Sequence, residues 1–277
     1  MYYEHKAQQE DPSRRCERFQ WEDYLEDEIQ RVWKENFRVY GYRKVWRQLQ
    51  REGIPAAPCT VERLMKHMGL SGAVRGRTKI TTLSDISVPK PPDLVQRQFT
   101  ALRPNQLWIA DFTYVATWRG FVYAAFVIDV FVRMIVGWRV ASSMTTDLPY
   151  DALEQALHDR QITEPLIHHS DRGSQYLSIR YSERLSEVGI APSVGSTGDS
   201  YDNAMAESII GLYKTEVIGR HGPWKSIDAV EIATLDWVDW YNNRRIMEPI
   251  GYRTPREAEI EYYQQRMRTA ERVGLTQ

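Results

Sequence analysis

The stretch SYDNAMAESIIGLYKTE, residues 200–216, begins with turn-forming residues and continues with apolar residues at helical spacing. Its apolar stripe consists of Met205, Ile209, Leu212 and Tyr213. Glu207 lies about 200° around the helix from the start of this stripe, so it belongs to the polar face. Lys214 follows on the same face, about 20° away and about 10.5 Å along the axis. A surface helix with a solvated glutamate and lysine has the same pattern. This helix alone therefore does not indicate a function, and the residues upstream have to be considered with it.

Two further carboxylates stand where strands are predicted. Asp111 interrupts the apolar run LWIADFTYV, and Asp171 follows LIHHS at the entry to the turn DRGSQY. The first two carboxylates are separated by 59 residues, and 35 residues separate Asp171 from Glu207. Either aspartate alone could be structural, Asp171 as a turn or cap residue. Three carboxylates brought within a few ångströms would repel one another unless cations compensate, and Mg²⁺ prefers such oxygen ligands.

Two histidines, His168 and His169, precede Asp171. Imidazole is a metal ligand, but a histidine at the end of a strand is more often packed or hydrogen-bonded. We therefore predict that both histidines are packed residues, and that any metal ligands are the carboxylates.

The periodicity around these carboxylates predicts an α/β domain. Strand patterns cover residues 107–115, 120–129, 132–141, 165–168 and 190–194. Helical patterns cover residues 147–159, 178–187, 200–216 and 226–242. Three strands in a meander, followed by strands that alternate with helices, indicate a mixed five-stranded sheet with flanking helices.

Charge is unevenly distributed along the 277 residues, although the net charge is only −1. Residues 31–103 carry 15 Lys and Arg against 5 Asp and Glu, a local charge of +10. Residues 104–223 carry 9 basic against 14 acidic residues, a local charge of −5. A basic segment of this kind is typical of a nucleic-acid-binding module that the near-neutral total conceals.

Within the basic segment, residues 42–49 and 61–68 have helical patterns, and Gly53-Ile54-Pro55 forms a turn between them. Thr60 is the predicted N-cap of the second helix. The polar faces carry Arg43, Lys44, Arg47, Arg63 and Lys66. These features fit a helix-turn-helix, and a helical hairpin with solvated charges fits them equally. A following flexible stretch with Arg75, Arg77 and Lys79 is suited to tracking a phosphate backbone, which favours DNA binding.

We predict five segments along the chain. They are an N-terminal helical segment (1–36), a helix-turn-helix with a basic tail (37–83), a proline-containing linker (84–104), the α/β core (105–223) and a C-terminal helical part (224–277).

Three segments now resemble signatures of a known family: WIADFTYV, HHSDRGSQY and SYDNAMAES. They are similar to those of the retroviral-integrase-like DDE transposases, in the subgroup encoded by the second reading frame of copy-out, paste-in bacterial insertion sequences. The N-terminal GYRKVWRQL and VERLMKHMGL resemble the helix-turn-helix of this family, so the resemblance covers residues 40–262. Further matching positions are Gly120, Tyr123, Asp129, Arg133, Gly137, Trp138, Tyr241, Asn242, Arg245, Thr254 and Pro255.

The resemblance implies an RNase H-like core in which Asp111, Asp171 and Glu207 are catalytic and hold two Mg²⁺ ions, with Mn²⁺ able to substitute. It implies that Lys214 and Asn203 contact DNA. The implied reaction nicks the end of an insertion sequence and joins the freed 3′-hydroxyl to target DNA. Expected partners are terminal-repeat DNA, target DNA, further copies of the chain on DNA and an upstream-frame product joined by frameshifting.

Two other function classes stay open, a DNA-binding regulator whose core is only a scaffold and an RNase H-like nuclease. Clustered carboxylates argue against the first, and joining of DNA would distinguish transposition from the second. Cys16 and Cys59 are isolated, which suggests neither a zinc site nor a disulfide framework. The apolar run 121–132 is too short for a membrane span, and no apolar signal segment is present. We expect a cytoplasmic, nucleoid-associated bacterial protein without a membrane partner.

Overall fold

The computed structural model describes residues 16–74, 94–95, 100–171, 176, 178–194 and 204–274. The chain divides into two compact units, residues 1–74 and 75–277. None of the helices in these described ranges is long and apolar enough to cross a membrane.

In residues 16–74, the described part of the first unit, the chain forms α1 (Glu17–Glu35), α2 (Tyr42–Arg51) and α3 (Pro58–His67). Their apolar stripes meet in one small core of Leu25, Ile29, Val32, Val45, Leu49, Val61, Leu64 and Met65. The predicted helices are therefore confirmed. The predicted N-cap at Thr60 is wrong, because α3 begins at Pro58 with Ala57 as its N-cap. A proline at the first helical position lacks only an N–H that the first turn leaves unpaired, so the helix starts there without a side-chain cap.

The second unit is built on a five-stranded mixed sheet in the order β3-β2-β1-β4-β5. Its strands are β1 (Leu107–Thr117), β2 (Gly120–Asp129), β3 (Ile135–Ala141), β4 (Ile167–Ser170) and β5 (Ala191–Val194). The first three strands pair antiparallel, whereas β4 is parallel to both β1 and β5. This is the predicted RNase H-like arrangement, a meander extended by parallel strands.

Helices cover both faces of this sheet. In chain order they are α4 (Asp147–Asp159), α5 (Ile179–Glu187), α6 (Ala204–Tyr213), a π-helix (Lys214–Ile218), α7 (Gly219–His221), α8 (Ile227–Asn243), a 3₁₀-helix (Glu248–Ile250) and α9 (Pro255–Gly274). Successive side chains of a strand point to opposite faces. Accordingly Val127 packs with Ala152 of α4, whereas Phe126 contacts the rings of Tyr213 in α6 and Trp237 in α8.

The contact between β3 and α4 is unusually close at Gly137. A Cβ atom built on this glycine would lie 2.1 Å from the carbonyl oxygen of Ala152. Backbone this close to backbone leaves no room for a side chain, so glycine is required here for packing and not for its dihedral angles.

Several predicted boundaries differ from the structure. The fourth strand covers Ile167–Ser170 and not residues 165–168. The third strand starts at Ile135 and not at residue 132, because the Asp129 carboxylate accepts hydrogen bonds from the backbone N–H groups of Phe131 and Val132 and holds a turn. The helix predicted to run to residue 216 is an α-helix only to Tyr213, after which the chain continues as the π-helix.

Several predictions fall outside the described residues. Among them are the DNA contacts assigned to Asn203, Arg75, Arg77 and Lys79, and most of the linker at 84–104. The five-segment division of the chain stays a prediction.

Candidate active site

Asp111 and Asp171 are brought together by the register of two neighbouring strands. The parallel β1 and β4 pair up to Ala110 and Ser170, and the next residues are Asp111, inside β1, and Asp171, directly after the end of β4. Residues in equivalent positions on adjacent parallel strands are neighbours about 5 Å apart and point to the same face. Both aspartates are half-buried. The sheet therefore holds two carboxylates side by side at the point where β4 ends.

Glu207 reaches this region from α6, which packs on β1. The buried face of α6 consists of Ala206, Ile209, Ile210 and Tyr213. Met205 and Leu212, predicted members of this face, are only half-buried. Glu207 is exposed, as predicted for the polar side of the helix.

The electrostatics of Asp111 show that these groups are close together. Burial raises the pKa of Asp111 well above its usual range, and the negative charges of Asp171 and Glu207 raise it further. A hydrogen bond of 2.8 Å from the backbone N–H of Phe112 and the positive charge of Lys214 act in the opposite direction. The structure thus gathers the three predicted carboxylates and one lysine around a single strand end.

The three carboxylates do not form a ready-made metal site. Within the described ranges, no group of three or more His, Cys, Asp or Glu side chains is close enough to hold a metal ion. The donor chemistry nevertheless fits a hard divalent cation, because three carboxylates repel one another here and such a cation would remove the repulsion. A cation would have to draw the three side chains closer together.

Lys214 is exposed overall and is the first residue of the π-helix. Its Nζ atom lies 5.3 Å from the ring centroid of Tyr114 on β1. Partial burial of the ammonium group lowers its pKa, and the charge of Asp111 opposes this shift. Lys214 therefore lies between the carboxylates and Tyr114 on β1.

The two histidines on β4 are packed and hydrogen-bonded, as predicted. The Nε2 atom of His168 is 3.0 Å from the Tyr181 hydroxyl, and the Nδ1 atom of His169 is 2.9 Å from the Ser193 hydroxyl. Both side chains are buried. Burial, together with the neighbouring His169, lowers the pKa of His168 to about 3, so its imidazole is neutral at physiological pH.

An ion pair that sequence analysis missed lies just beyond Lys214. Glu216, in the π-helix, is 3% exposed and accepts hydrogen bonds from Arg245 at 2.7 and 3.3 Å and from the Trp237 indole at 3.1 Å. The signal was present in the sequence, because Tyr213 and Val217 are apolar at a helical spacing of four and Glu216 lies beside them. A carboxylate beside an apolar face needs a buried partner.

Tyr176, in the turn after Asp171, is a second residue that the sequence did not single out. Its ring packs against Phe112 and Tyr181 at centroid distances of 6.0 and 5.5 Å. Its hydroxyl is buried and has no hydrogen-bond partner among the described residues. Burial raises the pKa of Tyr176, and the charges of Asp111 and Asp171 add to this effect, so the hydroxyl borders the carboxylate site.

In the first unit, which we call the helical unit, the basic residues predicted to bind DNA are mostly exposed. Arg43, Arg47, Arg63 and Lys66 are exposed, and Lys44 is half-buried with its Nζ atom 5.0 Å from the Tyr40 ring centroid. Arg63 forms an ion pair of 2.8 Å with Glu22 of α1, and its hydrogen bond lowers the pKa of that carboxyl. Any phosphate contact by Arg63 would compete with this ion pair.

Comparison with known protein families gives matches along most of the chain. An HTH-like domain matches residues 20–78, and two integrase core domain families match residues 101–200 and 188–255. A transposase for insertion sequence element IS629 from Shigella sonnei is 59% identical over 262 residues, which are 95% of this chain and 88% of that protein. A Mycobacterium tuberculosis (strain CDC 1551 / Oshkosh) protein, named for transposition of insertion sequence element IS986/IS6110, is 54% identical over 274 residues, 97% of each chain.

Among solved structures, the HTLV-2 integrase catalytic core domain in complex with magnesium is 20% identical. The match has a TM-score of 0.46 and covers 58% of this chain and 99% of that one.

Proposed function

The chain belongs to the transposases of insertion sequence elements, and from this premise we propose that Asp111, Asp171 and Glu207 carry the phosphoryl transfer by holding two divalent cations. Mg²⁺ is the cation of choice, and Mn²⁺ is able to replace it. The observation that supports this proposal is that the negative charges of Asp171 and Glu207 add to the raised pKa of Asp111, which lies on β1 beside the point where the parallel β4 ends. A transposase with an integrase core is a polynucleotidyl transferase, so its active site has to stabilise charge at a phosphodiester.

The roles of the side chains follow from where they sit. When bound, the two ions would activate the attacking water or 3′-hydroxyl and stabilise the leaving 3′-oxygen. Asp111 and Asp171 offer oxygen ligands from the rigid sheet, and Glu207 offers a third from α6. Lys214 is a phosphate-positioning residue, because its ammonium group is at the edge of the carboxylate site without being part of it.

The proposed substrate is the terminal-repeat DNA of the element together with target DNA, and the chain acts on it as a homo-oligomer. A fusion with an upstream-frame product, made by frameshifting, is part of the same proposal. The reaction takes place in the cytoplasm, at the bacterial nucleoid.

Strand transfer on labelled element ends, with Mg²⁺ or Mn²⁺, tests the carboxylates. Asp111→Asn, Asp171→Asn and Glu207→Gln should each lower cleavage and joining more than about 100-fold, because an amide is a poor ligand for a hard cation. Fold and DNA binding should be nearly unchanged. Asp236→Asn, an exposed carboxylate on α8, is the matched control and should keep full activity.

The outcomes separate the function classes. A carboxylate variant that retains more than a small fraction of joining would remove that residue from the active site. A wild-type chain that hydrolyses element ends without joining them would be a nuclease. Binding without either reaction would indicate a regulator.

A second experiment tests the DNA contacts proposed for the helical unit. A chain lacking residues 1–83 should lose most of its DNA affinity, and log K should depend less steeply on log salt by about one unit for each phosphate that the chain no longer neutralises. The triple variant Arg43→Ala, Arg47→Ala, Lys66→Ala should flatten the slope by about three units within the full-length chain. An unchanged slope in both would mean that these side chains are only solvated.

A further inference from the structure

The outer end of the β1–β2 hairpin exposes three large aromatic side chains. Tyr114, Trp118 and Phe121 are 48%, 68% and 57% exposed. Scattered exposed apolar residues are ordinary, whereas several on one small hairpin indicate a binding surface. We call this surface, together with the neighbouring Lys214 and Lys225, the hairpin patch.

Near its outer end the hairpin has one buried face and one exposed face. Val115 and Val122 are paired across the strands and are 1% and 5% exposed. Tyr114 and Phe121 stand on the opposite face, where their rings make an edge-to-face contact at 5.4 Å. The hairpin is therefore well packed on one side, and its aromatic side is exposed.

The hairpin tip is held in place by the segment that follows α7. The backbone N–H of Trp118 donates a hydrogen bond of 2.9 Å to the carbonyl oxygen of Trp224. The buried Trp224 in turn donates its indole N–H to the carbonyl oxygen of Ile218 at 3.1 Å. A fixed aromatic platform loses little conformational entropy when a flat ligand stacks on it.

Two lysines border the aromatic side chains. Lys214 lies 5.3 Å from the Tyr114 ring centroid, and Lys225 lies 5.9 Å from the Trp118 ring centroid. Arg119 is in the turn, and the sequence has no Asp or Glu between Asp111 and Asp129. Aromatic rings interleaved with cations favour a ligand that has both flat faces and negative charge.

We propose that the hairpin patch binds unpaired nucleotides of the DNA substrate, with their bases stacked on Trp118, Phe121 and Tyr114 and their phosphates near Lys214 and Lys225. This inference rests on the proposed function, because Lys214 also borders the carboxylates. At about 3.3 Å per strand residue, Tyr114 is about 10 Å along β1 from Asp111. Lys214 connects the two places, because its charge acts on Asp111 and its Nζ atom lies 5.3 Å from the Tyr114 ring centroid, so unpaired nucleotides beside the carboxylates reach the patch past this lysine.

Binding to two labelled DNAs tests this inference, one with a blunt element end and one with four unpaired nucleotides at the same end. All variants are made in an Asp111→Asn background and measured without divalent cations, so that the outcome does not depend on the role of the carboxylates. Trp118→Ala with Phe121→Ala should weaken binding of the unpaired end at least tenfold and binding of the blunt end less than twofold.

Substitutions at one position separate base stacking from general apolar contact. Trp118→Phe should retain most of the preference for unpaired ends, whereas Trp118→Leu should lose it, because leucine has no aromatic face. Phe19→Ala is the matched control, since Phe19 is 56% exposed in the other unit and should leave the preference unchanged.

Equal binding of both DNAs by wild type and the double alanine variant would overturn the inference. A second result that would overturn the inference comes from sedimentation of the DNA-free chain, which measures self-association. If the double variant abolishes self-association and leaves both DNA affinities unchanged, the patch binds a second copy of the chain. In either case the strand-transfer assay of the carboxylate variants still decides the proposed function separately.

Discussion

Glu207 and Glu216 are nine residues apart on one continuous helical segment, and their carboxylates have opposite surroundings. Glu207 is exposed, and its charge adds to the repulsion at Asp111. Glu216 is buried, and Arg245 and Trp237 hold its two oxygens. Glu216 is neutralised by an arginine of the same unit, whereas Glu207 belongs to a set of carboxylates whose charges raise the pKa of Asp111.

This difference distinguishes a carboxylate that has its own countercharge in the fold from the carboxylates that we propose hold cations. A buried carboxylate that has its own guanidinium partner contributes to a single fixed arrangement of the chain. Neighbouring carboxylates that repel one another cost free energy, and a cation bound between them, as we propose, would recover it and so couple the free energy of the fold to that cation.

Removal of the partner of Glu216 should have the largest effect on stability. Arg245→Met leaves the carboxylate buried without its countercharge, and we expect the free energy of unfolding to fall by about 3–5 kcal/mol. Urea denaturation measures this change. The double variant Glu216→Gln, Arg245→Met should recover part of the loss, and additive losses would contradict the idea that the two charges act as a pair.

His168 differs from both glutamates, because it is a buried ionisable group that stays uncharged. Because its folded pKa of about 3 is below its ordinary value of 6.5, the neutral form stabilises the fold above pH 6.5. This contribution is lost as the pH falls from about 6.5 towards 3, on the order of 3 kcal/mol by pH 4. His168→Gln should flatten this part of the stability curve in denaturation at several pH values. An equally steep loss in the variant would assign the acid sensitivity to other groups.

Lys214 borders the carboxylate set, and its removal should affect catalysis but not stability. Lys214→Ala should reduce cleavage of the cognate end about 10- to 100-fold, because the phosphate it positions is then held less accurately. Lys214→Arg should keep much of the activity, since charge and reach survive. Cleavage of cognate and scrambled ends is the measurement. If Lys214→Ala cuts both as the wild type does, the lysine is only a surface residue.

The smallest effect concerns the carboxylates themselves in the absence of divalent cations. Asp111→Asn removes one of the repelling charges, so we expect the chain with EDTA to become more stable by about 1 kcal/mol. Adding Mg²⁺ should raise the melting temperature of the wild type and not that of the variant. A variant less stable than the wild type under EDTA would mean that Asp111 has a structural role comparable to that of Glu216.

The sequence predicted much of this site because its determinants are local. Asp111 interrupts one apolar strand pattern and Asp171 directly follows another, and parallel pairing of those strands is sufficient to make them neighbours. Helix α4 was predicted with its observed bounds for the same reason, since its apolar spacing is regular.

What the sequence did not predict depends on contacts between distant segments. The change from α-helix to π-helix after Tyr213 accompanies the burial of Glu216 against Arg245, 29 residues further along the chain. The aromatic hairpin patch is invisible in the sequence, because the strand pattern of Tyr114 and Phe121 does not reveal which sheet face a helix covers. Alternation gives two faces, and only packing determines which one is exposed.

The π-helix has a consequence for the length of the chain. A π turn closes its hydrogen bond five residues back and an α turn four, so this segment contains one residue more than the α-helix that could replace it. Deletion of a single residue inside a helix ordinarily disrupts its packing, because every later side chain rotates by about 100°. Removal of Thr215 should instead convert the π turn to an α turn and leave Glu207 upstream and Glu216 downstream in their own surroundings. We therefore expect this turn to be the point along the helical segment where homologous chains differ in length by one residue.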